Sequence, residues 1–197
     1  MKISLHFLCG AIFLLGVVFS VAQQQPAPQE RPQAPASPAL HYFTDVVLLD
    51  QNGEPKRLYS DLLKGKTIIA NAFFTSCHDS CPIMAGRMAG IQDAVGDRLG
   101  KDVYILSFSV DPEDTPERLK AYGEKFKARP GWFFLTGTQE NRESALHKFG
   151  LLPDQKENHL NIFIIGNEKT GLWKKARGTA PAQQIIEIVN SVMNDRG

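Results

Sequence analysis

Apolar positions along the chain fall into a few rhythms, and each change of rhythm marks a new element. Residues 66–74 (KTIIANAFF) and 103–110 (VYILSFSV) are short β-branched and aromatic runs with no polar face, the pattern of strands buried on both sides. Behind the first run, Met84, Met88, Ile91, Val95 and Leu99 recur at helical spacing. A strand, a helix and a strand in that order imply parallel pairing. Leu119, Tyr122 and Phe126 mark a second helix, opened by Thr115 as N-cap with Pro116 at the first helical position. Residues 132–135 (WFFL) form a short apolar segment, and Ala145, Leu146 and Phe149 mark a helix that carries His147 and stops at Gly150. Two hairpins are expected. Residues 43–49 and those around Arg57, Leu58 and Tyr59 flank an Asn52-Gly53 turn, while residues 160–165 and 171–176 flank the turn 166–170. Ile185, Ile186, Val189, Val192 and Met193 give a final amphipathic helix. This order predicts an α/β domain, a three-layer thioredoxin-like fold with an extra N-terminal β-hairpin.

The first forty residues follow other rules. Residues 3–22 are mostly apolar behind Lys2, and Ser20-Val21-Ala22 has the small-x-small pattern of a signal peptidase site. The run is also about as long as the ~20 residues that cross a bilayer. Residues 1–22 therefore read as a signal peptide or a membrane anchor, with cleavage preferred and a tether through residues 3–22 left open. Either way the chain is expected to be exported, to the periplasm, free or anchored to the cytoplasmic membrane. Cys9 lies ahead of most of this run and is taken as part of it. Residues 23–39, rich in Gln, Pro and Ala, lack the large apolar residues of a core and read as a linker. The domain is expected over residues 40–197.

Charge changes the picture mainly by exclusion. The chain has 22 Lys and Arg against 21 Asp and Glu, and removing residues 1–22 takes away only Lys2, leaving 21 of each. With no basic cluster interleaved with aromatics, nucleic acid is not an expected partner.

Outside the N-terminal run, Cys77 and Cys81 are the only cysteines, so thiol or soft-metal chemistry belongs to them. They fall between the end of the first buried strand and Pro82, taken as a first helical position, which sets them on a strand-to-helix turn. A helix N-terminus presents unpaired N–H groups and favours thiolate over thiol, so a nucleophilic, metal-binding pair is expected. A structural disulfide is the plainer alternative, but a loop this short closes little chain entropy. Export alone does not choose between a bridge and a metal site.

Three segments carry a resemblance. Residues 74–82 (FTSCHDSCP) are similar to F-T-x-C-P-D-x-C-P, residues 109–116 (SVDPEDTP) to S-V-D-P-x-x-D-T-P, and residues 131–137 (GWFFLTG) to G-W-x-x-L-T-G. Over roughly residues 43–193 the chain resembles the Sco/SenC family, thioredoxin-like copper chaperones of cytochrome oxidase assembly. The resemblance implies copper held by two cysteines and a histidine far along the chain, matched here by Cys77, Cys81 and His159. It implies delivery to a cytochrome c oxidase subunit or another copper protein. The chain departs from the family at His78, where proline is usual, at Asn158-His159-Leu160, where D-H-S is usual, and in a loop after Asp111 shorter by one residue. His78 is thus a competing donor, and Asp111 is open to a role behind the ligands or as a turn cap.

Two thiolates and an imidazole are a soft three-donor set suited to Cu(I), with Cu(II) left open, whereas a closed zinc site wants a fourth protein ligand. The alternative function is thiol–disulfide oxidoreductase, in which Cys77 and Cys81 are catalytic and a partner disulfide is the substrate. A thiol peroxidase ranks lower: a peroxiredoxin-like site wants Pro and Thr where the chain has Ala70 and Phe74, and near Asn161 there is only a loose counterpart of Trp-Asn-Phe.

Overall fold

A computed structural model of the chain describes residues 38–155 and 160–197. The apolar run, residues 23–37 of the linker, and His159 lie outside the described residues. The centre is strand β3 (Thr67–Phe73), whose seven residues are all buried, so both faces of the sheet are covered there. On one side β3 pairs in parallel with β4 (Val103–Ser109), which pairs in parallel with β5 (Trp132–Leu135). On the other it pairs antiparallel with β6 (Ile162–Asn167), followed by β7 (Leu172–Arg177). The strand order is therefore β5-β4-β3-β6-β7.

Helix α2 (Ser80–Val95) makes the crossover from β3 to β4, and α5 (Ala182–Met193) packs on α2, β6 and β7. Helix α3 (Pro116–Lys125) lies against β5 and α4 (Gln139–Phe149) against β4. The expected signals work locally: Thr115 Oγ1 accepts from the Arg118 N–H at 3.4 Å, and Gly150 ends α4 in the left-handed region at φ 64°. A buried polar chain ties three strands together. Trp132 Nε1 donates to Ser107 Oγ at 3.0 Å, and Ser107 Oγ donates to Asn71 Oδ1 at 2.8 Å.

The N-terminal hairpin is present but shorter than the sequence suggests, with β1 (Val47–Leu49) antiparallel to β2 (Pro55–Arg57). Phe43 belongs to a short helix α1 (Pro38–Phe43), where its ring packs between Phe149 and Trp173, with centroids 5.3 and 5.4 Å away. Leu58–Leu63 forms one turn of π-helix instead of continuing the strand, because Leu58, Tyr59, Leu62 and Leu63 together present a single buried face. The apolar segment 132–135 is a full member of the sheet. Among the described residues no helix is long and apolar enough to cross a membrane.

Candidate metal centre

Strand β3 delivers the chain to the cysteines. Its last carbonyl, that of Phe73, accepts from the Val110 N–H at 2.9 Å, which holds the ends of β3 and β4 together where the turn begins. The turn closes on itself through the Cys77 N–H, which donates to the Phe74 carbonyl at 3.2 Å. Helix α2 starts at Ser80, so Cys81 lies in its first turn and Pro82 is its third residue. Proline still costs no hydrogen bond there, since the first four helical N–H groups have no partner within the helix.

Cys77 is 8% exposed and Cys81 1%, and both stand as thiols hydrogen-bonded to each other. Burial pushes the Cys81 thiol well above the usual range, and the adjoining Cys77 pushes it the same way. A hydrogen bond from the Phe74 backbone opposes this, and the Asp114 charge adds a little to the rise. Burial thus acts on Cys81 in the direction opposite to the one expected from the helix N-terminus. At 1% exposure the loss of solvation disfavours the charged thiolate.

The loop after β4 holds the cysteine turn in place. Asp114, 3% exposed, accepts from the Thr75 N–H at 3.0 Å, from the Thr75 hydroxyl, and from the Ser109 hydroxyl at 2.6 Å. Asp111 serves its own turn: its Oδ1 accepts from the Glu113 N–H at 3.0 Å. Asp111 thus caps its own turn, and Asp114 reaches the cysteine turn. Sequence reasoning passed over Asp114, although it stands in the quoted D-T-P motif. Tyr122 was read only as a helix-packing position. Its hydroxyl is buried without a hydrogen-bond partner among the described residues, and burial, Cys81, Cys77 and Asp114 all push it upward.

Among the predicted donors, Cys77 and Cys81 come together. His78 is exposed and lines a groove of about 470 Å³ with Thr75, Ser76, Glu113, Arg118 and Tyr122. His147 is exposed on α4. The register of Ala70 with Ile164 sets the N-terminal end of β6 at the cysteine end of β3. Among the described residues no group of three or more His, Cys, Asp and Glu side chains is placed to hold a metal. The two sulfurs fit a soft metal, and a third protein donor would come from outside that set.

This arrangement has relatives. BsSco, described as a member of the Sco family of cytochrome c oxidase assembly proteins with a disulfide switch, is 31% identical, with a TM-score of 0.62 over 76% of this chain and 92% of its own. ScoI of Arabidopsis thaliana, solved with copper bound, is 22% identical and shares the fold, with a TM-score of 0.61 over 74% of this chain and 94% of its own. The SCO1 protein homolog of Bacillus subtilis is 35% identical over 152 residues, which are 72% of this chain and 78% of that protein. The SCO1/SenC family profile matches residues 32–194, and with that match the chain belongs to the SCO1/SenC family.

Proposed function

We propose that the protein is a copper chaperone that takes copper through Cys77, Cys81 and His159 and passes it to a cytochrome c oxidase subunit or another copper protein. The observation that carries the reading is the pair of buried, mutually hydrogen-bonded thiols on the β3–α2 turn of a SCO1/SenC chain. Two sulfurs select a soft ion, and Cu(I) suits a set of two thiolates and one imidazole. His159 enters because it precedes β6 by three residues, and β6 starts at the cysteine end of the sheet. Copper is the cargo, and Cys77 and Cys81 must shed their protons to hold it. Residues 3–22 are read as the export signal or tether that puts this domain in the periplasm.

The contact between the two sulfurs also favours a second role, thiol–disulfide exchange. One thiolate attacks a partner disulfide and forms a mixed disulfide as the other partner sulfur leaves. The second cysteine thiolate then displaces the remaining partner sulfur. The pair ends as a disulfide, the partner as two thiols, and two electrons have moved to the partner. A disulfide cannot hold copper as thiolates do, so the exchange gates the delivery.

Two measurements on each variant test both roles: copper bound per chain, and the rate of reduction of a model disulfide. Cys77→Ser should lose copper and exchange, whereas His159→Ala should lose copper and keep exchange, because imidazole is no part of the two-sulfur chemistry. Unchanged copper content in both variants would sink the chaperone reading. Loss of exchange in His159→Ala as complete as in Cys77→Ser would assign the histidine to thiol catalysis.

A further inference from the structure

Strand β7 ends the order β5-β4-β3-β6-β7, so its outer side has no partner strand among the described residues. Just past its end the Gly178 N–H donates to the carbonyl of the facing Asn161 at 2.8 Å. In an antiparallel ladder, hydrogen-bonded pairs alternate with pairs whose backbone groups point away from each other. By the register of β7 on β6, Ala176 and Lys174 therefore bond to β6, whereas Arg177, Lys175 and Trp173 turn their N–H and C=O groups outward. The Arg177 carbonyl accepts from the Ala180 N–H at 3.1 Å. The Arg177 N–H and both groups of Lys175 and Trp173 remain as the open sites of the edge.

Side chains alternate as well, so the same three residues share one face of the sheet. Trp173 fixes which face it is: its ring lies 5.4 Å from that of Phe43 and 6.1 Å from that of Phe149, beside an open groove of about 470 Å³. Tyr42 walls this groove. Although 54% exposed, it is pinned, its hydroxyl donating to the Lys148 carbonyl at 3.1 Å and its ring lying 5.0 Å from the Lys148 ammonium. Lysines line the groove and no carboxylate does. Lys175 and Arg177 are exposed, and among the described residues neither has an ion pair.

Charge decides what fits such an edge. A second copy laid on β7 would set basic residues against basic residues, which is how lysines keep edge strands from pairing with themselves. Carboxylates across the strand would instead be attracted. We propose that β7 and its groove dock an extended acidic segment of a partner protein by strand addition. Its carboxylates face Arg177 and Lys175, and an apolar side chain two residues further along faces Trp173 and enters the groove. The open backbone groups supply affinity and the alternating side chains supply selectivity. None of these groups belongs to the cysteine turn, so the inference does not depend on the copper reading.

The test uses the whole reduced chain in nanodiscs of neutral lipid and a capped, dansyl-labelled peptide reading T-E-T-E-T-F-T. Run antiparallel to β7, it sets its glutamates against Arg177 and Lys175 and its phenylalanine against Trp173. Fluorescence anisotropy should show saturable binding below about 1 mM that weakens as salt is added. Lys175→Glu with Arg177→Glu should weaken it at least about tenfold, with an unchanged urea midpoint because both side chains are exposed. The peptide N-methylated at its second glutamate and its phenylalanine keeps every charge and lacks the N–H groups that would meet the Lys175 and Trp173 carbonyls. It should lose at least about tenfold as well. Equal binding of a T-K-T-K-T-F-T peptide, undiminished binding of the N-methylated one, or no binding at about 1 mM would each overturn the proposal. So would a dimer of the unaltered protein that sedimentation shows to come apart in the double variant, since the edge would then belong to a second copy. Copper bound per chain should be the same in the double variant and the unaltered protein, so failure here and failure of the chaperone reading are told apart.

Discussion

Asp114→Ala is expected to destabilise the metal-free, reduced protein by about 2–4 kcal/mol, a figure that follows from which donors lose a partner and which find another. The carboxylate accepts from the Thr75 N–H, the Thr75 hydroxyl and the Ser109 hydroxyl. Ser109 is not orphaned, because its hydroxyl still reaches the Asp111 carbonyl at 3.4 Å and accepts from the Asp111 N–H at 3.1 Å. Thr75 is half-buried, so its hydroxyl can turn to water. The Thr75 N–H is the group left stranded, at about 1–3 kcal/mol, and bonds to a charged acceptor contribute about 1.5–3 kcal/mol each. Removing a carboxylate that is 3% exposed offsets part of that sum. For a domain of this size the net loss corresponds to a fall in Tm of roughly 5–15 °C.

The assay is urea unfolding with excess reductant, on the unaltered protein, Asp114→Ala, Thr75→Val and the double variant. Thr75→Val removes the hydroxyl and keeps the N–H and the branched shape, so it should cost less than Asp114→Ala. The two changes should couple by about 0.5–3 kcal/mol, as expected for residues in direct contact. Copper affinity should fall in Asp114→Ala as well, because Thr75 lies two residues before Cys77. A loss below about 0.5 kcal/mol, or strict additivity with Thr75→Val, would show that this carboxylate does not hold the turn.

The acid–base state of the pair gives a second expectation. Cys81 and Tyr122 both have folded-state pKa values raised chiefly by burial. Stability from such groups is fully present below the unfolded thiol value, about 8.5, and is lost as pH rises and the unfolded chain deprotonates first. Urea midpoints of the reduced protein should therefore fall between about pH 8 and pH 10, and a Cys81→Ser, Tyr122→Phe variant should show a flatter profile. A midpoint that holds or rises with pH would contradict the burial argument. Gly123→Ala should destabilise despite alanine's helical advantage of up to about 1 kcal/mol. The new Cβ would lie 2.8 Å from the ring of Phe134, which is 1% exposed and stacked on Trp132. With no room for that ring to yield, thermal unfolding should show a net loss of about 1–3 kcal/mol, and a gain would show that the α3–β5 packing is looser than described.

Signals that act over a few residues were legible in the sequence. Strands β3 and β4 bury both faces and so read as unbroken apolar runs, while Thr115 and Gly150 announce helix ends through their own backbone needs. Placing Cys77 and Cys81 on a strand-to-helix turn needed only the run before them and the spacing after them. Periodicity was silent where the deciding neighbour is remote in sequence. Phe43 joins a helix because Phe149 and Trp173 receive its ring, and the carboxylate that reaches the cysteine turn is Asp114 because it bonds Thr75 across 39 positions. Tyr122 satisfies helical spacing whether or not its hydroxyl has a chemical role, so spacing could not separate the two. The burial of Cys81 escaped for the same reason: the helix end could be read from the chain, but the 1% exposure is set by the whole fold.

That division has a consequence for the chemistry. The F-T-S-C-H-D-S-C-P segment supplies both sulfurs, but the carboxylate that ties their turn, Asp114, arrives from the β4–α3 loop. Grafting residues 74–82 alone onto another strand-to-helix turn should transfer two thiols without the carboxylate tie. Such a graft should hold copper more weakly than this chain, and adding the counterpart of Asp114 should recover affinity. Recovery would come from the carboxylate, because its bonds to the Thr75 N–H and hydroxyl set where the turn lies.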